Sequence, residues 1–170
     1  MKSKFFIIIT LGLIQIFNIQ LCLADWSAKI NAVGKLTKGQ YKSSIIIGEG
    51  LMPEKLTAPP KAPKFSCYLS IKPLPDWSTS LAKDIRLKGQ DYNQWVLAIN
   101  PHGNIMSFED EKAIISWDSS ELGEGNFKLL GGWDGSEGIL ISDMKNVDSF
   151  EVTGDNEDQY YIIIQSMGDR

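Results

Sequence analysis

Short runs in which apolar and polar residues alternate recur along most of the chain, separated by Gly, Pro, Asn and Asp. A period of two puts every second side chain on the same face, which marks a half-buried β-strand. Trp26-Ser27-Ala28-Lys29-Ile30-Asn31-Ala32 is the first such run, and the β-branched stretch Ser43–Gly48 predicts a more fully buried strand. Phe65–Ile71, Leu81–Leu87, Trp95–Asn100, Ala113–Asp118, Phe127–Leu130 and Ile139–Ile141 continue the series, with Lys83 breaking one apolar face. The last pair, Ser149–Val152 and Tyr160–Ile164, is joined by Asp155-Asn156-Glu157-Asp158, the clearest hairpin signal in the chain. Pro59, Pro60 and Pro63 cannot donate to a ladder, so Ala58–Pro63 predicts an extended connector that lies along a sheet edge and blunts it.

These runs amount to eight to ten short strands, and no stretch of ten residues holds the i, i+3, i+4 apolar spacing of a helix. Strands that do not alternate with helices exclude a doubly wound sheet. The expectation is an all-β fold, an antiparallel β-sandwich of immunoglobulin or fibronectin type.

The first 24 residues follow a different rule. Lys2 and Lys4 precede an apolar stretch from Phe5 to Ile19, and Cys22-Leu23-Ala24 offers small residues at −3 and −1 of a cleavage site. Residues 1–24 are therefore read as a signal peptide and residues 25–170 as a single domain. An uncleaved anchor is the alternative, disfavoured because the run falls short of the ~20 residues that span a bilayer and contains Gln15 and Asn18. Leu21 stands where a lipidated Cys22 would want a small residue. No later stretch is long enough to span, so the expected destination is the periplasm or the medium, with the cell surface as a further possibility.

Composition narrows this further. With 170 residues, 43% of them hydrophobic, the chain is globular rather than disordered. Cleavage leaves one cysteine, Cys67, so no internal disulfide can form; its phase with Phe65, Leu69 and Ile71 makes it a small buried hydrophobe. Without Lys2 and Lys4 there are 15 basic and 21 acidic residues, a net charge of −6, concentrated in the C-terminal half. An acidic chain without a basic cluster argues against a nucleic-acid partner.

Candidate chemistry is sparse. His102 is the sole histidine and sits in Pro-His-Gly-Asn, read as a surface turn, and no Gly-x-Ser-x-Gly elbow presents a nucleophile. One histidine and one cysteine are too few for zinc. Calcium would have to use the acidic loops at Asp134 and Glu137, or at Asp155, Asn156, Glu157 and Asp158, neither of which has the spacing of a calcium loop; both read as solvated hairpin tips. No catalytic residue, metal or cofactor is therefore expected. Trp26, Trp95 and Trp117 fall in phase with core positions, whereas Trp77 and Trp133 lie in loops. With Tyr92, those two are the candidates for stacking on a sugar or anchoring a protein partner.

Several segments carry a resemblance. Ile47-Gly48 leading to Ala58-Pro59-Pro60-x-Ala62-Pro63-x-Phe65, then Leu81-x-x-Asp84-Ile85-Arg86, Trp95-x-Leu97-x-Ile99, Ile115-Ser116-Trp117-Asp118 and Asp143-Met144 resemble secreted bacterial β-sandwich modules of immunoglobulin/fibronectin type, found in surface and exported proteins. The likeness covers residues 45–165 as spaced fragments and includes no catalytic motif. It implies a sandwich and an export route, with Asp84 and Arg86 fixing a strand end and Trp117 supplying a core indole. The expected function is that of an exported, non-catalytic structural, adhesive or envelope-associated interaction module whose partner is a protein or glycan. The alternatives are a carbohydrate-binding module using the loop tryptophans and a small carboxylate-dependent hydrolase.

Overall fold

The computed structural model describes residues 25–36, 39–60, 65–71, 80–102, 111–154 and 157–168. Residues 1–24, expected to be a signal peptide, and Trp77, Asp155, Asn156 and Pro63 lie outside the described residues. The strands are β1 (Trp26–Leu36), β2 (Gly39–Gly50), β3 (Glu54–Thr57), β4 (Ser66–Ser70), β5 (Ser80–Leu87), β6 (Tyr92–Asn100), β7 (Glu111–Ser116), β8 (Asn126–Gly131), β9 (Ile139–Ile141), β10 (Ser149–Gly154) and β11 (Gln159–Ser166). The described residues contain no α-helix, only a 3-10 turn at Ser119–Glu121, whose first free N–H, on Ser120, is taken by the Asp118 side chain.

The all-β expectation holds, but the pairing differs from two antiparallel sheets. All the strands belong to one mixed sheet in the order β10-β7-β1-β2-β5-β4-β6-β11-β8-β9, with β3 on β5 as a side branch. β2 and β5 run parallel, and β10 and β11, expected to form a hairpin, do not pair with each other: β10 lies on β7, and β11 lies between β6 and β8. Residues 83–85 of β5 pair with both β2 and β3, so those two strands lie on opposite edges of β5 although only three residues join them. A period of two reveals which residues face inward, but says nothing about which strand comes to lie beside which.

The sheet curls into a half-barrel. Its inward residues, among them Ile30, Ile47, Cys67, Leu97, Ile115, Phe127 and Ile163, meet in one cluster. Burial of each large side chain there stabilises the fold by roughly 1.5–3 kcal/mol. Strands remote in the sheet order touch across the interior. Phe150 of β10 meets Tyr161 of β11 edge-to-face at 5.5 Å, and Trp26 of β1 meets Phe127 of β8 at 5.3 Å. At the proline connector the Ala58 N–H donates to the Ser80 carbonyl at 2.9 Å, which holds the start of that segment against β5.

The open seam of the curl is laced by the segment that joins the two outermost strands, β9 and β10. The Met144 N–H donates to the Phe127 carbonyl at 2.8 Å, and the Trp117 indole N–H donates to the Met144 carbonyl at 2.9 Å. The Trp117 backbone N–H completes the lacing on the Asp148 carbonyl at 2.9 Å. Met144 is wholly buried beneath these bonds. On the other face, the reversal after β8 folds back so that Gly135 lies against Leu130 and Ile162. That path uses left-handed backbone at Gly132, Gly135 and Gly138, which a side chain would strain.

Replacing Trp117 by Phe keeps most of the packing but strands the Met144 carbonyl without its donor. The expected loss is about 1–3 kcal/mol, read as a lower urea midpoint together with faster hydrogen exchange at the Met144 amide. An unchanged midpoint would mean that the lacing adds nothing.

Candidate functional site

At one end of the half-barrel, the inward rows of several strands finish on polar side chains. The β2 row runs Ile45, Ile47, Glu49; the β6 row runs Leu97, Trp95, Asn93; the β11 row runs Tyr161, Ile163, Gln165. Register brings these ends together, with Trp26 opposite Glu49 and Asn93 opposite Gln165. Glu49 is only 5% exposed. Its carboxylate accepts from the Trp26 indole N–H at 2.8 Å, the Asn93 amide at 2.6 Å and the Gln165 amide at 3.1 Å. The Gln165 amide also donates to the Glu124 carbonyl at 3.0 Å. Burying a carboxylate costs several kcal/mol unless donors replace its water, and here the donors are all neutral.

Trp26 is held as tightly as the carboxylate. Its ring meets Trp95 and Phe127 edge-on, and Gly123 packs so close that an added Cβ would sit 2.3 Å from the indole Cδ1. Beside this group, Asp84 and Arg86 of β5 approach to 2.7 Å, yet the Arg86 Nε–H makes no directed hydrogen bond and Asp84 Oδ1 has no donor. They touch as charges, since two side chains two residues apart on one strand cannot align as a fork. The guanidinium instead donates to the Gln94 carbonyl at 3.0 Å and lies over the Trp95 ring.

A cavity of about 260 Å³ opens at this end between Trp26, Glu49, Asp25, Lys88, Glu124 and Met167. Lys88 pairs with Asp25 at 2.6 Å. The Asp25 contact holds the Lys88 ammonium above the ordinary lysine range, with Glu124 and Glu49 adding smaller contributions.

Of the residues expected to bind, Trp133 and Tyr92 do not line this cavity, and Trp77 is outside the described residues. Trp133 is half-buried and edge-on to Tyr160 at 5.3 Å. Tyr92 is exposed and its hydroxyl donates to Gln94 Oε1 at 3.2 Å. Gly132 bonds to Tyr160 at the start of β11, whereas Tyr92 pairs with Ser166 at its end. Trp133 and Tyr92 are thus separated by most of the length of that strand, on the order of 20 Å, and do not form one platform. Asp134 accepts from the Ser136 N–H at 3.0 Å, and the Ser136 contacts hold its carboxyl below the usual range. Asp158 accepts from the Tyr68 hydroxyl, and burial followed by this contact pushes that phenol upward. Among the described residues no group of three or more His, Cys, Asp or Glu could hold a metal ion.

His102 departs from its expected place in a surface turn. It is 1% exposed, directly beyond β6, where its backbone N–H donates to Asn100 Oδ1 at 2.9 Å. Its Nε2 lies 4.0 Å from Glu111 and its Nδ1 has no hydrogen-bond partner. The preceding Pro101 is buried as well, so the strand's interior environment runs past its last ladder bond.

Glu49, Asn93 and Gln165 escaped the sequence reading, although a signal existed. Each is a polar residue in phase with apolar positions of its own strand, which marks a buried polar group as surely as it marks a core. No known protein family, characterised protein or solved structure matches the chain.

Two expectations follow from this geometry. Glu49→Ala leaves three buried donors without an acceptor and should destabilise the fold by ~3 kcal/mol or more, measured by denaturant titration; a loss below about 1 kcal/mol would refute the network's structural role. Burial pushes the Cys67 thiol up to about 12, and the Tyr161 phenol, through burial and then Glu137, also to about 12. The unfolded chain releases these protons nearer the ordinary values of 9.0 and 10.0, so the folded state binds more protons between those limits. Stability should therefore be undiminished by these groups below about pH 9 and fall as pH rises toward 12. Cys67→Ala should flatten part of that alkaline slope, and a thiol reagent at pH 8 should label Cys67 of the wild type only in denaturant.

Proposed function

We propose that the protein is an exported, non-catalytic interaction module, which docks a partner protein at the cell envelope. The observation that carries this reading is an apolar ridge at the β2–β3 reversal. Leu51 is 69% and Met52 58% exposed, with Leu87 also open to water. They are close for a topological reason. Gly50 pairs with Leu87, so the residues that cross from β2 to β3 pass the end of β5 where Leu87 lies. Large apolar side chains gathered on a surface mark contact sites more often than scattered ones do.

Beside the ridge, β3 pairs only with β5 among the described residues, so its other edge offers backbone N–H and C=O groups to an incoming strand. Strand addition takes affinity from those groups and specificity from the flanking side chains. The occupant we propose is an extended, apolar segment of an envelope protein. Export itself rests on the leader-like residues 1–24; among the described residues no helix is long and apolar enough to cross a membrane.

A photo-crosslinking residue placed at Met52 should capture a discrete envelope protein, whereas the same residue at exposed Thr153 on β10 should not. Leu51→Asp with Met52→Asp should reduce that capture at least tenfold and leave the thermal midpoint within a few degrees. Equal capture at both positions, or none at Met52, would overturn the reading, and retention on a glycan panel without a protein adduct would favour the carbohydrate alternative.

A further inference from the structure

The Glu49 carboxylate is buried against neutral N–H groups alone. Two cations lie near it and both are committed elsewhere. Arg86, its register partner on β5, turns to Asp84 and the Gln94 carbonyl. Lys88 is taken by Asp25. No basic group among the described residues forms an ion pair with Glu49 or with Glu124. A carboxylate this buried is normally matched by a cation or a metal. Here it lines a cavity instead.

We propose that this cavity binds an organic cation, with an ammonium or guanidinium head seated against Glu49 and Glu124 and its carbon stem lying along Trp26 and Met167. The lining selects this chemistry in three ways. Three carboxylates, Asp25, Glu49 and Glu124, face a single ammonium that is already paired, so an anion is repelled. A bare metal ion needs several oxygens converging at one point, and no such grouping exists among the described residues. The indole and the thioether, poor partners for a hydrated metal, suit a weakly hydrated organic cation and its methylenes. The volume of about 260 Å³ admits such a head with a short chain and falls just below the ~300 Å³ at which drug-sized pockets begin.

The three neutral donors have a part in this. They fix the carboxylate's orientation without neutralising its charge, so the anion is held ready for a cation that arrives from outside. The cation is either a free small amine or a basic side chain of a docked protein. The second source is sterically natural, because Glu49 is followed by Gly50 and Leu51, and Lys88 is preceded by Leu87, so the cavity opens beside the ridge.

The test is a titration of the purified protein with Nα-acetyl-arginine methylamide, Nα-acetyl-lysine methylamide, 1,4-diaminobutane and, as neutral isostere, Nα-acetyl-citrulline methylamide. The readout is the Trp26 indole N–H resonance. Saturable shifts are expected with the cations and none with the citrulline derivative. Affinity should fall several-fold on moving from low to high salt, and several-fold again in Glu124→Gln. That variant alters an exposed side chain and spares the buried network, so its fold should persist even where Glu49→Gln unfolds. Tighter binding of the diamine would identify a free amine as the source, and tighter binding of the capped residues a protein side chain. Leu51→Ser, which removes the apolar side chain without adding charge, should leave these titrations unchanged, which separates the cavity from the ridge. No saturable shift with any cation, or equal binding of the arginine and citrulline derivatives, would overturn the proposal.

Discussion

A carboxylate cannot leave water without donors, and those that meet Glu49 come from three other strands: Trp26 on β1, Asn93 on β6 and Gln165 on β11. Apolar burial is proportional to area and indifferent to direction, so the large side chains of the core would accept many arrangements of the same strands. Hydrogen bonds to a buried anion accept few. A one-residue slip of β1 against β2 would turn Trp26 to the outer face and leave Glu49 short of a donor. The curl of the sheet has the same dependence, because β2 and β11 are remote in sheet order and meet only when the sheet bends far enough for Gln165 to reach Glu49.

Much of this was legible in the residues themselves. The alternating runs from Trp26, Phe65, Trp95 and Ala113 became β1, β4, β6 and β7 with the expected inward faces, and Cys67 took its place in the core. Trp117 proved to be a core indole, as its phase required, although its second task of lacing the seam depends on a partner far along the chain. β3 escaped notice because Glu54-Lys55-Leu56-Thr57 has one large apolar residue and no alternation; it is a strand because β5 offers it an edge. The parallel pairing of β2 with β5 was equally invisible, since pairing is settled by competition between edges across the whole fold and local periodicity has no access to it. His102 was misplaced by weighing only its neighbours Pro101 and Gly103, both typical of turns, when what mattered was the depth of the strand before it. The candidate site was the least legible part, because a buried polar network depends on which strand ends meet.

On the readings proposed above, the ridge and the cavity would give one end of the molecule two complementary means of recognition. Apolar area at Leu51 and Met52 contributes to affinity for many partners and discriminates poorly among them. A buried anion discriminates strongly, because an unmatched charge is costly and a neutral ligand leaves it unmatched. Arrangement of the two side by side matters more than either alone.

The place of β5 has a consequence in time. β2 and β3 are separated by a short reversal, the arrangement from which a hairpin would close first, yet in the finished fold they are kept apart by a strand that comes only after the proline connector and β4. The chain must either hold a slot open between two neighbouring strands while the intervening segment is laid down, or form the local hairpin and then break it. Both routes pass through a species with unpaired edges beside exposed Leu51 and Met52, and non-local pairing of this kind slows folding. A chain folding outside the cytoplasm would meet its neighbours in that state, so Leu51 and Met52, proposed above as a contact surface, would also expose the unfinished protein to association with its own copies.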